Sequence, residues 1–116
     1  MERTIIQVAS FSVALDDLIA KHRLLIEDYE DLERRLVKNP QEGDVIPGLF
    51  GIRKVRLKSA NKGKRGGFRV DYLDIPEVEK LYFLVIFSKN DKGDLLPNEK
   101  KLIGDFVKQL KKEAKK

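Results

Sequence analysis

Apolar residues recur along this chain in two rhythms, one that suits helices and one that suits strands. Ile5, Ile6 and Val8 make Thr4 to Ala9 a short strand. Leu15, Leu18, Ile19 and His22 then fall at i, i+3, i+4 and i+7. That spacing predicts a helix, with Ser10 or Ser12 as its cap. Leu25, Tyr29, Leu32 and Leu36 stripe a second helix from about Leu24 to Lys38. Its outer face is acidic early (Glu27, Asp28, Glu30, Asp31, Glu33) and basic late (Arg34, Arg35, Lys38), the order a helix dipole favours. Asn39-Pro40 stops it.

Gly43 to Gly51 has the Gly, Asp and Pro content of a loop. The rhythm then becomes two. Arg53, Val55 and Leu57 point one way from a strand, and Ile52, Lys54, Arg56 and Lys58 the other. Ser59 to Gly66 reads as a glycine- and cation-rich loop. Phe68 to Leu73 is the next strand, with Phe68, Val70 and Tyr72 on one face and Arg69 and Asp71 on the other. Asp74 to Glu79 contains Pro76 and reads as a turn. Leu81 to Phe87 is apolar throughout, as a strand buried on both faces would be. After a polar loop, a helix begins at Pro97 or Asn98 and carries Leu102, Ile103, Phe106, Val107 and Leu110 on one face. The order is strand, two helices, three strands, helix. Short connections make the last three strands an antiparallel meander. The class is therefore α+β: a small antiparallel sheet packed against two N-terminal helices and one C-terminal helix. With 116 residues and 41% apolar content, one domain over 1–116 is expected, with 113–116 as a disordered tail.

Charge changes the picture more than composition does. Val45 to Val70 holds eight cations and no anion: Arg53, Lys54, Arg56, Lys58, Lys62, Lys64, Arg65 and Arg69. The whole chain has 24 basic and 19 acidic residues, so the remainder holds 16 against 19, a net of −3. Clustered like charges repel unless an anion relieves them, which points to a polyphosphate such as nucleic acid. Lys54, Arg56 and Lys58 share a strand face at about 7 Å spacing, roughly that of successive RNA phosphates. A solvated strand face is the plain alternative for any one of them. Asn61 to Gly67 lacks the ending of a nucleotide-binding loop and sits between strands, so a cationic hairpin loop is the better reading.

Other chemistries lack their residues. There is no Cys, which fits a reducing cytoplasm and leaves no thiolate metal site. His22 is the only histidine, so neither a zinc set nor a histidine-pair ribonuclease is expected. No carboxylate lies between Asp44 and Asp71 to build a two-metal site. Met1-Glu2-Arg3-Thr4 lacks the apolar core of a signal peptide, and seven apolar residues in a row are too few to span a membrane. No metal, cofactor or membrane is expected. If RNA is cut, Lys54 or Lys58 is a candidate base, because neighbouring cations favour a neutral lysine. Arginines would stabilise a dianionic phosphorane.

Gly43-Asp44-Val45-Ile46-Pro47-Gly48, Gly51-Ile52-Arg53-Lys54-Val55-Arg56 and Gly63-Lys64-Arg65-Gly66-Gly67-Phe68-Arg69-Val70 together form a specific pattern. Leu81 to Asn90 and Asp94-Leu95 continue it. The chain closely resembles the HigB branch of the RelE-like toxins of bacterial toxin–antitoxin systems, over nearly its whole length. The resemblance implies a RelE-like sheet flanked by helices. It implies an endoribonuclease that cuts mRNA, usually on the ribosome, by attack of the ribose 2′-OH on the adjacent phosphate and without a metal. It implies a cognate helix-turn-helix antitoxin, HigA-like, with operator DNA reached only through the antitoxin complex. By the same resemblance Lys54, Arg56, Arg69 and Lys89 are the catalytic candidates, and Arg53, Lys58, Lys64 and Arg65 hold RNA; Lys62 joins the RNA-holding set as a further cation of the loop. Two departures stand out. Leu49-Phe50 replaces a small, polar pair, and Leu96 or Pro97 stands where the RelE branch has an aromatic. Tyr72, on the strand face opposite Arg69, is assigned to the core. The alternatives are a non-catalytic basic module that binds RNA, ribosome or DNA, and an inactive relative that only regulates transcription with its partner.

Overall fold

The computed structural model describes residues 2–60 and 67–115. Strand β1 (Thr4–Gln7) leads into helices α1 (Ala9–Ala20) and α2 (Ile26–Lys38). Strands β2 (Asp44–Val45), β3 (Arg53–Leu57), β4 (Phe68–Ile75) and β5 (Lys80–Ser88) follow, and helix α3 (Pro97–Ala114) closes the chain. The five strands form one sheet in the order β1-β5-β4-β3-β2. The class is α+β, as the rhythms imply, with β3, β4 and β5 as an antiparallel meander.

Two strand features differ from expectation. The sheet is mixed, because β1 lies parallel to β5, with Ile5 beside Leu81 and Ile6 beside Tyr82. The segment read as pure loop also contains β2, which pairs Asp44 with Lys54 and Val45 with Arg53. The helix ends move as well. Neither Ser10 nor Ser12 caps α1, which starts at Ala9; the Ser12 hydroxyl donates to Gln7 instead, at 2.8 Å. His22 lies past the end of α1, exposed and at φ 58°, so it belongs to no helix face. Helix α3 continues to Ala114, two residues into the expected tail. Among the described residues, no helix is long and apolar enough to cross a membrane.

The sheet divides two cores. On one face Phe68, Val70, Tyr72, Leu81 and Phe83 meet Phe11, Leu15 and Leu18 of α1 and Tyr29, Leu32 and Leu36 of α2. Phe83 is the centre of this core, edge-on to Phe11 at 5.5 Å between ring centroids and close to Tyr29 and Tyr72. On the other face Leu73, Ile75, Leu84 and Phe87 meet Ile46, Leu49, Ile52, Leu95 and Val107 of α3. A register shift lets β5 serve both. Asp71 pairs with Val85 but Tyr72 pairs with Phe83, which leaves Leu84 as an extra residue. Leu84 and Val85 therefore both face α3, and Ile86 returns to the helical pair.

The Leu49-Phe50 pair has a structural use. Leu49 is buried, and the Phe50 ring lies beneath Lys108 and against Gly104 of α3. A Cβ at Gly104 would come within 3.1 Å of that ring, so glycine lets α3 lie close to the turn.

Candidate functional site

Alternation along β3 and β4 sends Lys54, Arg56, Arg69 and Asp71 to the α3 side of the sheet, beyond the part that α3 covers. A cleft of about 450 Å³ opens there. Lys54, Arg56 and Arg69 line its floor, Glu42, Gly43 and Asp44 one side, and Lys89, Gly93 and Asp94 the other. All four catalytic candidates thus meet in one place, drawn from β3, β4 and the residue just after β5. Among the described residues, no ion pair and no side-chain hydrogen bond engages Lys54, Arg56 or Lys89.

Arg69 is different: it reaches the cleft already paired with acids. Its side chain is only 7% exposed. Nε and Nη2 donate to the two Asp71 oxygens at 2.8 and 3.1 Å, and Nη1 donates to Asp94 at 2.9 Å. Its guanidinium also lies over the Phe87 ring, 5.1 Å from the centroid. An arginine so committed is not a free anion-binding fork. Burial works against its charge, but the bonds to Asp71 and Asp94 outweigh that and raise its pKa above the ordinary value. Burial also pushes the Asp71 carboxyl above its usual range, against the opposing pull of Arg69. The reason for the pairing is in the register. Arg56 and Arg69 stand directly opposite each other, a repulsive arrangement that the two aspartates relieve.

The RNA-holding candidates scatter. Arg53 points to the opposite face from Lys54, and its Nη1 donates to the carbonyl oxygens of Gly43 at 2.7 Å and Gln41 at 3.3 Å. It is a tether for the loop that walls the cleft. Tyr72 does the same work from the core: its hydroxyl donates to Pro40 at 2.8 Å and accepts from the Gly43 amide at 2.9 Å. Gly43 is needed between them, since a Cβ there would sit 2.7 Å from the Lys54 carbonyl oxygen. Lys58 leaves the face of Lys54 and Arg56 and lies 3.6 Å from Asp28 of α2. Lys62, Lys64 and Arg65 lie outside the described residues.

The carboxylates were missed. Asp44 and Asp71 sit one residue beyond each end of the anion-free segment, and the sheet places them on either side of Lys54. A sign was available for Asp71: two residues after Arg69 on a strand means the same face. Asp94 comes from the far side of β5. Its Oδ1 accepts from the Leu95 amide at 2.7 Å as well as from Arg69, and Lys100 lies 3.3 Å from Oδ2. The Leu95 amide first, then Arg69 and Lys100, hold its carboxyl down at about 2.

Such a cleft can bind one phosphate group between Lys54, Arg56 and Lys89, and the same cations can stabilise charge that builds up on it. A scan against models of known protein families found no match.

Proposed function

We propose that this protein is an endoribonuclease toxin of the RelE kind, of the HigB branch, that cuts ribosome-bound mRNA in the cytoplasm. The observation that carries the reading is the convergence of Lys54, Arg56 and Lys89, none of them in an ion pair among the described residues, on one cleft of about 450 Å³. The sequence resemblance supports it independently. In the reaction the 2′-oxygen of a ribose bonds to the adjacent phosphorus while the bond to the 5′-oxygen of the next nucleotide breaks. A cyclic phosphate and a 5′-hydroxyl result. Arg56 and Lys89 hold the phosphate oxygens through the dianionic transition state. Lys54, set between Asp44 and Asp71, adds to that stabilisation, and the 2′-OH proton passes to water. The leaving oxygen takes a proton from water or a neighbouring acid. A small helix-turn-helix antitoxin is the partner this reading requires.

The test is single-turnover cleavage at saturating ribosome. Arg56→Ala and Lys54→Ala each lower the rate by about 10²–10³, the usual loss for one contact of this kind. Expression alone arrests growth, and co-expression with the helix-turn-helix partner restores it. One observation favours a second reading, a basic module that binds RNA without cutting it: Arg69 is already occupied by Asp71 and Asp94. Wild-type protein that binds ribosomes but leaves every mRNA 5′ end unchanged would establish that reading instead.

A further inference from the structure

Asp94 is an odd residue to find in a cleft meant for an anion. Asp71 uses the Nε and Nη2 side of Arg69, and what remains toward the cleft is Nη1. Asp94 takes that donor, although its own side chain is half exposed and reaches in from the loop before α3. It has somewhere else to go. Lys100 already lies beside its second oxygen, and the Leu95 amide holds the first. Gly93, just before it, has open space around its Cα.

We propose that the Asp94 carboxylate is a resident internal anion: it fills the place at Arg69 Nη1 that a phosphate group takes, and yields it by turning to Lys100. The inference rests on the reading of this cleft as a phosphate site and adds how that site is kept closed. With Asp94 in place, the cleft offers Lys54, Arg56 and Lys89. With Asp94 displaced, Arg69 becomes a fourth ligand, and its buried partner Asp71 keeps it aimed. A single anion that bridges Arg56 and Arg69 relieves the repulsion between two arginines set opposite each other on the sheet. A weakly bound or wrongly placed phosphate fails to displace Asp94, so the contact also selects for a group held at several points.

The probe is pyrophosphate, titrated at low salt and followed through the Arg69 Nε–H resonance. Asp94→Asn removes the charge but keeps an oxygen for the Leu95 amide; it should bind pyrophosphate about tenfold tighter than wild type, the scale of one charge contact at a protein surface. Asp94→Ser serves the same purpose if the amide side chain disturbs the loop. Asp91→Asn is the control. It changes net charge by the same amount in the same loop, but its carboxylate lies 3.7 Å from Arg23 and lines no part of the cleft. It should change affinity less than twofold. Equal tightening by Asp94→Asn and Asp91→Asn, or weaker binding in both Asp94 variants, overturns the proposal. A wild-type protein that cleaves no RNA overturns the nuclease reading and leaves the pyrophosphate comparison standing.

Discussion

Under α1 and α2 the sheet is a continuous apolar surface: Phe68, Val70, Tyr72, Leu81 and Phe83 are all nearly inaccessible. Across the same strands the other face is split. Half of it, around Leu73, Leu84 and Phe87, packs beneath α3. The other half carries Lys54, Arg56, Arg69 and Asp71, and α3 leaves it open. The difference lies in what each surface has to offset. On the apolar face, burial itself stabilises, and side-chain shape decides how much. On the charged face, Arg69 and Asp71 are as buried as the core, so their desolvation is offset only while each keeps the other. One face is robust because its contacts are interchangeable in kind. The other depends on named pairs.

The comparison breaks most visibly at Phe83. Replacing it with alanine removes the ring that joins Phe11, Tyr29 and Tyr72, and should destabilise the fold by about 3–5 kcal/mol. Arg56→Ala, on the opposite face and exposed, should move stability by about 0.5 kcal/mol or less while, on the proposed function, it slows cleavage by about 10²–10³. Urea unfolding of the two variants reads this directly. A similar loss in both would mean that the charged face is structural after all.

Next in size is the buried pair. Asp71→Ala leaves Arg69 with Asp94 alone and should cost about 3 kcal/mol. Arg69→Ala strands Asp71 in the same way, so a loss of toxicity in that variant would report folding as much as chemistry. Arg69→Met together with Asp71→Leu should recover most of the stability, because neither charge then remains to be solvated. If the double variant is as unstable as the single ones, the pair holds the sheet by more than mutual neutralisation.

How much of this could be read from the chain follows the same divide. Most of the apolar face was legible, because alternation in β3 and β4 and the stripes of α1 and α2 are local patterns, but His22 and Leu25 at the stripe ends are exposed and the buried Phe11 stood outside them. The four convergent cations were legible too, from period two and from the resemblance. What escaped was pairing. Nothing in Ile5 or Ile6 says that β1 joins β5 in parallel, nor does an unbroken apolar run reveal that Leu84 is the extra residue. Counting charge along the chain also misled: a window from Val45 to Val70 is free of anions, yet Asp44 and Asp71 flank Lys54 across the strands, and Asp94 arrives from 25 residues beyond Arg69.

That correction gives a measurable electrostatic consequence. Of the cations in the basic segment, Arg53 tethers a loop, Lys58 pairs with Asp28, and Arg69 is neutralised. Lys54 and Arg56 remain with Lys62, Lys64 and Arg65, and Lys89 from beyond the segment brings the candidate phosphate contacts to six. Three contacts to single-stranded RNA give a slope of about −2 for log affinity against log salt, and six give about −4. A variant with Lys62, Lys64 and Arg65 all changed to alanine should therefore show a slope near −2. A slope near zero in that variant would mean that the cleft itself meets no phosphate.

The smallest effect is the most specific to the charged face, because it separates the two acids that share Arg69. The Asp94 carboxyl is held at about 2, below its ordinary value, so its contribution to stability is present above about pH 4 and lost as pH falls through 2. Asp71 runs the other way. Its carboxyl lies above the usual range in the folded protein, so acid relieves its desolvation instead of removing a stabilising charge. Because Asp94 is half exposed, solvent screens its contribution to about 1 kcal/mol or less. The wild type should therefore exceed Asp94→Asn in urea midpoint by a small, constant margin from pH 7 to about 5, and the margin should close between about pH 4 and 2. A margin that persists at pH 2 would show that the Leu95 amide, which asparagine can also bond, is not the contact that Asn preserves, and that Asp94 acts on the loop rather than through its charge on Arg69.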